Sequence, residues 1–217
     1  KVVVLEEKIH GPEVSVFALC DGENYILLPT AQDHKRLNEN DKGPNTGGMG
    51  AYSPAPLLTE NYLNKIIKEI IEPTINELNK KNIDYKGVIY FGLMITKSGP
   101  KVIEYNCRFG DPECQTIMPL MDQSFVLLLE KCSMGNLIGS EKIDTSDKVS
   151  GCVIATSKGY PHEYKTGFPI KIGRINTNDC QIFDSGTSLS KDGDLLTDGG
   201  RVLSIVCQDK DFDSVFE

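Results

Sequence analysis

Residues 102–113 read VIEYNCRFGDPE, and within them Glu104, Asn106 and Arg108 recur at every second position. Side chains on a strand alternate between faces. An extended segment here carries Val102, Glu104, Asn106 and Arg108 on one face, and Ile103, Tyr105, Cys107 and Phe109 on the other. Same-face neighbours stand roughly 6–7 Å apart at about 3.3 Å rise per residue. A carboxylate, an amide carbonyl and a guanidinium in one row can hold a hard cation through oxygen and a phosphorylated ligand through the cationic fork. An antiparallel strand with one solvated face satisfies the same period, so other segments must decide.

Three other stretches bear on the choice. The loop AQDHKRLNENDKGPNTGGMGAYSP, residues 31–54, places glycines where backbone can approach a ligand and present N–H groups to an anion. Just upstream, Asp33, His34, Lys35 and Arg36 offer one anion and two cations. No Gly-Lys-Ser/Thr follows, so this is not a P-loop, and taken alone it also reads as a solvated surface loop. VLEEKIHGPEVS, residues 4–15, runs from a strand into consecutive acids and a Gly-Pro turn. Exposed backbone at such an edge can recognise an adenine and a following acid can take ribose hydroxyls, but a plain strand end fits too. GDPE, residues 110–113, reads alone as a turn. His10 and His162 read as structural, His34 draws interest from its neighbours, and no nucleophile stands at triad spacing from any of them.

The elements that must position these groups follow from pattern. Residues 1–5 read as a buried strand, and 14–19 with 25–30 as a hairpin about Asp21-Gly22. Residues 31–56 show no helix or strand pattern. Thr59 caps a helix whose Leu63, Ile66, Ile67, Ile70 and Ile71 form one stripe, with Pro73 set to kink or break it. Residues 87–96 and 100–109 read as antiparallel strands about Lys97-Ser98-Gly99. A short helix spans about 122–134 and stops at Gly135. A polar link, 139–148, then leads to short β-runs at 149–157, 165–173, 180–186 and 201–207. The expected fold class is therefore α+β, divided as 1–140 and a β-rich 141–217.

Composition bounds the function. The 217 residues are 39% apolar and 25% charged with net charge −8, and no basic run marks a nucleic-acid surface. No apolar run is long enough to span a bilayer, so no membrane partner is expected. Seven cysteines without a Cys-x-x-Cys pair read as free thiols in a reducing compartment, the cytoplasm. Lys1 opens straight into VVVL, and DFDSVFE begins a helix that does not continue. The chain reads as an internal segment of a longer protein.

In order, EEKIHGPEVS, QDHKR…GPNTGGMGAYSPAP, GLMITKSGPKVIEYNCRFGDPECQ and GTSL…TDGGRVL resemble the phosphoribosylamine–glycine ligase (glycinamide ribonucleotide synthetase) family of the ATP-grasp superfamily, from end to end of the chain. The resemblance implies an ATP-grasp domain portion, an antiparallel sheet with flanking helices, followed by a small β-rich domain. It implies ATP-dependent ligation of glycine to 5-phosphoribosylamine through glycyl phosphate in purine synthesis. Glu104 and Asn106 match the family's Mg²⁺ or Mn²⁺ ligands, and Arg108 the arginine on the transferring phosphoryl group. Glu6, Glu7, Lys8, Ile9 and Glu13 match the adenosine-binding hinge, with Glu13 at the ribose. Asp33 and Lys35, with Asn45, Thr46, Gly47 and Gly48, match contacts to glycine and phosphoribosylamine. Asp111 and Glu113 orient these groups, Asp111 beside the substrate. Family members carry an N-terminal Rossmann-like domain and a glycine-containing lid ahead of this point, and neither lies in these residues. Two rivals are another ATP-grasp carboxylate–amine ligase, which should lack the GPNTGGMGAYSP loop, and a non-catalytic nucleotide module, which should lack the metal row.

Overall fold

The computed structural model describes residues 2–39, 42–138, 143–173 and 179–217. The first hairpin is β1 (Glu13–Asp21) and β2 (Tyr25–Leu27). Four short strands follow: β3 (Gln32–Asp33), β4 (Arg36–Asn38), β5 (Lys42–Asn45) and β6 (Gly50–Ser53). Helix α1 (Glu60–Ile66) passes through a π-turn at Ile67–Ile71 into α2 (Glu72–Lys80). Then come the hairpin β7 (Lys86–Thr96) and β8 (Gly99–Asn106), and helices α3 (Glu113–Ile117) and α4 (Phe125–Met134). The last part holds β9 (Val149–Thr156), β10 (Cys180–Asp184), β11 (Thr187–Leu189), β12 (Leu195–Thr197), β13 (Arg201–Asp209) and α5 (Phe212–Phe216). The class is α+β, as expected.

An antiparallel sheet ordered β2-β1-β7-β8 forms the first core. Its two central strands are apolar on both faces, as a sheet covered on both sides requires. Val14, Val16, Ala18, Phe91 and Leu93 meet Ile66, Ile70, Ile71 and Ile75 of the long helix on one side. Phe17, Leu19, Val88 and Tyr90 meet Ile117, Leu128 and Cys132 on the other. Each of the valine, leucine, isoleucine and phenylalanine side chains among them stabilises the fold by about 1.5–3 kcal/mol.

Thr59 caps the helix as expected, accepting from the Tyr62 amide. Pro73 does not end it. The preceding turn widens, so the Glu72 amide donates to Ile67 five residues back, which accommodates the ring that would otherwise clash with the preceding turn. Helix α4 begins at Phe125 rather than near 122, and Gly135, in the left-handed region, ends it.

A second sheet, β10-β13-β9-β6-β3, overturns the expectation of a structureless 31–56. Strand β6 pairs with β9, from Gly50 opposite Val153 to Ser53 opposite Ser150. The glycine-rich loop is thereby fastened into the sheet of the later half of the chain. A Cβ on Gly50 would sit 2.5 Å from the Cys152 carbonyl oxygen, so only glycine lets the backbones approach.

Four other expectations change. Residues 2–5 form no strand: Val2, Val3, Val4 and Leu5 are exposed, since no other described strand pairs with them. Residues 165–173 contribute only an isolated bridge, Pro169 to Leu196, because their backbone serves the β11–β12 ribbon one bond at a time. GDPE is more than a turn, since it leads into α3. Cys180 and Cys207 are not free thiols; they lie directly opposite each other on β10 and β13 and form a disulfide. The link expected at 139–148 lies partly outside the described residues.

Candidate functional site

The row on β8 is modified by a bulge. Glu104 pairs with Gly92 and Val102 with Leu93, which leaves Ile103 as an extra residue. Glu104 and Asn106 stay on one face, opposite Gly92 and Tyr90. Val102, expected beside them, turns to the helix side and packs in the first core. Tyr105 joins that side, its ring 5.5 Å from Phe91. Arg108 lies past the end of the strand, and its Nη1 donates to the Phe109 carbonyl at 2.7 Å.

Lys35 connects this face to the hinge. Its Nζ lies 3.1 Å from Glu13 Oε2 and 3.9 Å from Glu104 Oε1. A cleft of about 520 Å³ opens beside it, lined by Lys8 to Glu13, Gln32 to Arg36, Asn45 and Met94. The hinge reaches the sheet because Ile95 N–H donates to Pro12 O at 2.9 Å, and because Gly11 has no Cβ to meet the Ile95 carbonyl. His10, expected to be structural, is exposed and lines this cleft. Glu6 and Glu7 are exposed, and Glu7 faces a second depression beside Thr96, Lys97 and Lys101.

Below the cleft lies a buried polar relay. Ser15 Oγ donates to Glu113 Oε1 at 2.9 Å and lies 3.1 Å from the Tyr90 hydroxyl. Burial, then the Glu113 charge, push the Asp33 carboxyl up to about 7, with Lys35 pulling partly the other way. Burial opposes the Lys35 charge, but Asp33, Tyr90 and Glu13 outweigh it and hold the ammonium above its ordinary range. Burial raises Tyr90 as well.

These shifts make a stability prediction. The Asp33 carboxyl is raised from 3.8 to about 7, so its contribution is full below about pH 3.8 and is lost as pH rises through 7. Asp33→Asn should therefore gain on the parent protein between pH 5 and pH 8. The expected change in melting-temperature difference is about 4–10 °C, equivalent to roughly 2–3 kcal/mol. An identical difference at both pH values would contradict the burial of Asp33 as the cause.

The remaining loop residues divide between two places. Asn45 lines the cleft, and Thr46 donates to the Lys35 carbonyl from both its amide, at 2.7 Å, and its hydroxyl, at 2.8 Å. Gly47, Gly48 and Asp111 gather instead around Arg201, whose Nη2 lies 2.7 Å from Asp111 Oδ2. Sequence reasoning assigned no role to Arg201, Tyr160, Ser15 or Tyr90. The available signals were a serine inside the apolar run VSVFAL and the Gly-Gly-Arg of TDGGRVL.

Residues 1–114 match the family described as phosphoribosylglycinamide synthetase, ATP-grasp (A) domain, and residues 150–216 match its C domain. A phosphoribosylamine–glycine ligase from Caldanaerobacter subterraneus subsp. tengcongensis is 48% identical over 205 residues, covering 94% of this chain and 48% of that protein. A trifunctional purine biosynthetic protein adenosine-3 from Gallus gallus is 43% identical, covering 97% of this chain and 21% of its own. The crystal structure of a phosphoribosylamine–glycine ligase from Thermotoga maritima superposes with a TM-score of 0.85 at 32% identity, covering 97% of this chain and 51% of that one. A biotin carboxylase from Campylobacter jejuni, at 17% identity and a TM-score of 0.68, shares the fold. The chain spans about half the length of the single-function ligases it matches.

Proposed function

The chain belongs to the phosphoribosylglycinamide synthetase family, and from that premise we propose that it supplies the metal face, nucleotide hinge and substrate loop of a phosphoribosylamine–glycine ligase. The reaction joins the glycine carboxylate to the amine of 5-phosphoribosylamine and converts ATP to ADP and phosphate. A free carboxylate is a poor acyl donor. Transfer of the γ-phosphoryl group to its oxygen gives glycyl phosphate, and phosphate then leaves as the amine attacks the carbonyl carbon. Both steps develop negative charge that fixed cations must meet.

The observation that carries this reading is the position of Lys35 between Glu13 on the hinge and Glu104 on the metal face. One ammonium thus joins the edge assigned to adenosine with the row assigned to phosphate and metal. Lys8, Ile9 and Glu13 take the nucleoside, with Glu6 and Glu7 flanking. Asp33, Lys35, Asn45 and Thr46 face glycine and phosphoribosylamine across the cleft. Gly47, Gly48 and Asp111 support the same loop, and Arg108 is assigned to the transferring phosphoryl group.

Glu104 and Asn106 offer hard oxygen donors on one face, which fits Mg²⁺ or Mn²⁺. Among the described residues no three His, Cys, Asp or Glu cluster around a point, so phosphate oxygens and water would complete the shell. The ion would neutralise phosphate charge. The ATP-grasp part is assigned to 1–140 and the C-terminal β-rich part to 141–217, with β3 and β6 lent to the second sheet. No helix among the described residues is long and apolar enough to cross a membrane. Purine synthesis and the five free thiols favour a cytoplasmic setting, with the Cys180–Cys207 disulfide counting the other way.

The test is ADP formation by the protein of full family length, with glycine and phosphoribosylamine added separately and together. ADP that requires both supports the ligase, and ADP with a different acid–amine pair would replace the substrate assignment with another ATP-grasp ligase. The 217 residues by themselves should release no glycine-dependent ADP. Detectable turnover by the purified chain would refute that division of labour.

A further inference from the structure

Arg201 makes contacts that the reaction as assigned does not use. Its Nη1 donates to the carbonyls of Gly47 at 2.7 Å and Asp111 at 2.9 Å, with Gly48 O at 3.5 Å, while Nη2 bonds Asp111 Oδ2 at 2.7 Å. One planar fork therefore gathers the glycine-rich loop and the turn that leads into α3. Arginine suits this, since several of its N–H groups point in fixed directions at once. Tyr160 completes the grip by accepting the Gly47 N–H at 2.8 Å.

The local sequence is built for this reach. A bulge at Val202 sets Arg201 opposite Thr156 and Leu203 opposite Ala155. Without that extra residue, Arg201 and Ser204 would lie on opposite faces of β13. With it they share the face on which Gln115 Nε2 meets Ser204 Oγ at 3.4 Å, beside α3. Gly200 has no Cβ because the Tyr160 ring lies there, 2.4 Å from where that atom would sit. Gly48, at φ +107°, would otherwise drive a Cβ to 2.6 Å from Pro112 Cδ. The Gly-Gly-Arg of TDGGRVL and the Gly-Gly of the loop are two halves of one joint.

From this geometry we propose that Arg201 is a positioning residue, through which the C-terminal part of the chain holds the glycine-rich loop and, with it, the substrate end of the cleft. The route runs from Arg201 to Gly47 and Gly48, through Thr46 to the Lys35 carbonyl, and so to the ammonium between Glu13 and Glu104. The hinge backbone is bound to β7 instead, by Pro12 and Ile95, and meets this route at a side chain, through the pair of Glu13 with Lys35. Loss of Arg201 should thus weaken glycine and phosphoribosylamine use and spare ATP binding.

The kinetic part of the test rests on the proposed ligase reaction; a second part does not. In the protein of full family length, Arg201→Met should lower kcat/KM for glycine and phosphoribosylamine at least tenfold while KM for ATP stays within twofold. Arg201→Lys should recover only part, because an ammonium cannot serve the same acceptors in the same plane. Independently, amide hydrogen exchange in Arg201→Met should accelerate over 42–50 and stay unchanged over 8–13. Unchanged exchange over 42–50 would overturn the proposal whatever the substrates are. So would equal damage to all three substrates together with exchange raised throughout, because Arg201 would then be only a fold contact. If wild type lacks the ligase activity yet the exchange pattern holds, the substrate assignment fails and the joint stands.

Discussion

Glu104→Ala should reduce ligase activity of the protein of full family length by at least about a hundredfold, the scale set by loss of one positioned group that meets transition-state charge. The fold should survive. Glu104 is half exposed on β8, and among the described residues it lies in no apolar cluster and keeps a 3.9 Å ion pair as its one polar contact, so an alanine leaves no cavity and no buried orphan. The measurement is the initial rate of ADP formation against Mg²⁺ or Mn²⁺ concentration, with a melting curve beside it. Activity near wild type at every metal concentration would remove the metal from this face. A Glu104→Gln variant separates charge from shape: the amide keeps an oxygen donor but should still lose most of the rate.

The second large effect belongs to Lys35. Lys35→Met keeps the length of the side chain and deletes its ammonium, leaving Glu13, Asp33 and Glu104 to face one another uncompensated. The expected loss in kcat/KM is roughly 10²–10³-fold. A change in pH dependence should accompany it. Lys35 pulls the Asp33 carboxyl down, against burial and the Glu113 charge, and the balance of the three leaves it near 7. Without Lys35 the proton on Asp33 persists to higher pH, and any limb of the rate profile that reports Asp33 should move alkaline. A profile that keeps its shape and position would show that Asp33 and Lys35 do not act as a pair.

The parts of the site legible in the sequence were those set by local period. The alternation of Glu104 and Asn106, the hinge before β1, and the isoleucine stripe behind Thr59 all depend on residues a few positions apart. Strands β3 and β6 were not legible, since two to four residues rich in Gly, Ser and Asp carry no propensity of their own. They exist because β9, some hundred residues later, offers an edge. Both bulges defeated simple alternation, turning Val102 inward and Arg201 toward Asp111. The opposite error occurred at Val2 to Leu5, where a strongly β-like run has no partner among the described residues. Cys180 and Cys207 became a pair only through strand register, which spacing alone does not disclose.

The pairing of β6 with β9 also orders events during synthesis. A nascent chain can complete the β1–β7–β8 sheet, with the hinge and metal face proposed for it, once residue 106 has left the ribosome. Its glycine-rich loop must wait for β9 and then for Arg201 on β13. At about 5–20 residues per second, that is a delay on the order of 5–20 s. For that interval the growing polypeptide presents the edge proposed for the nucleotide while the side proposed for the acceptor is unformed, and β13 is the strand whose arrival joins the two.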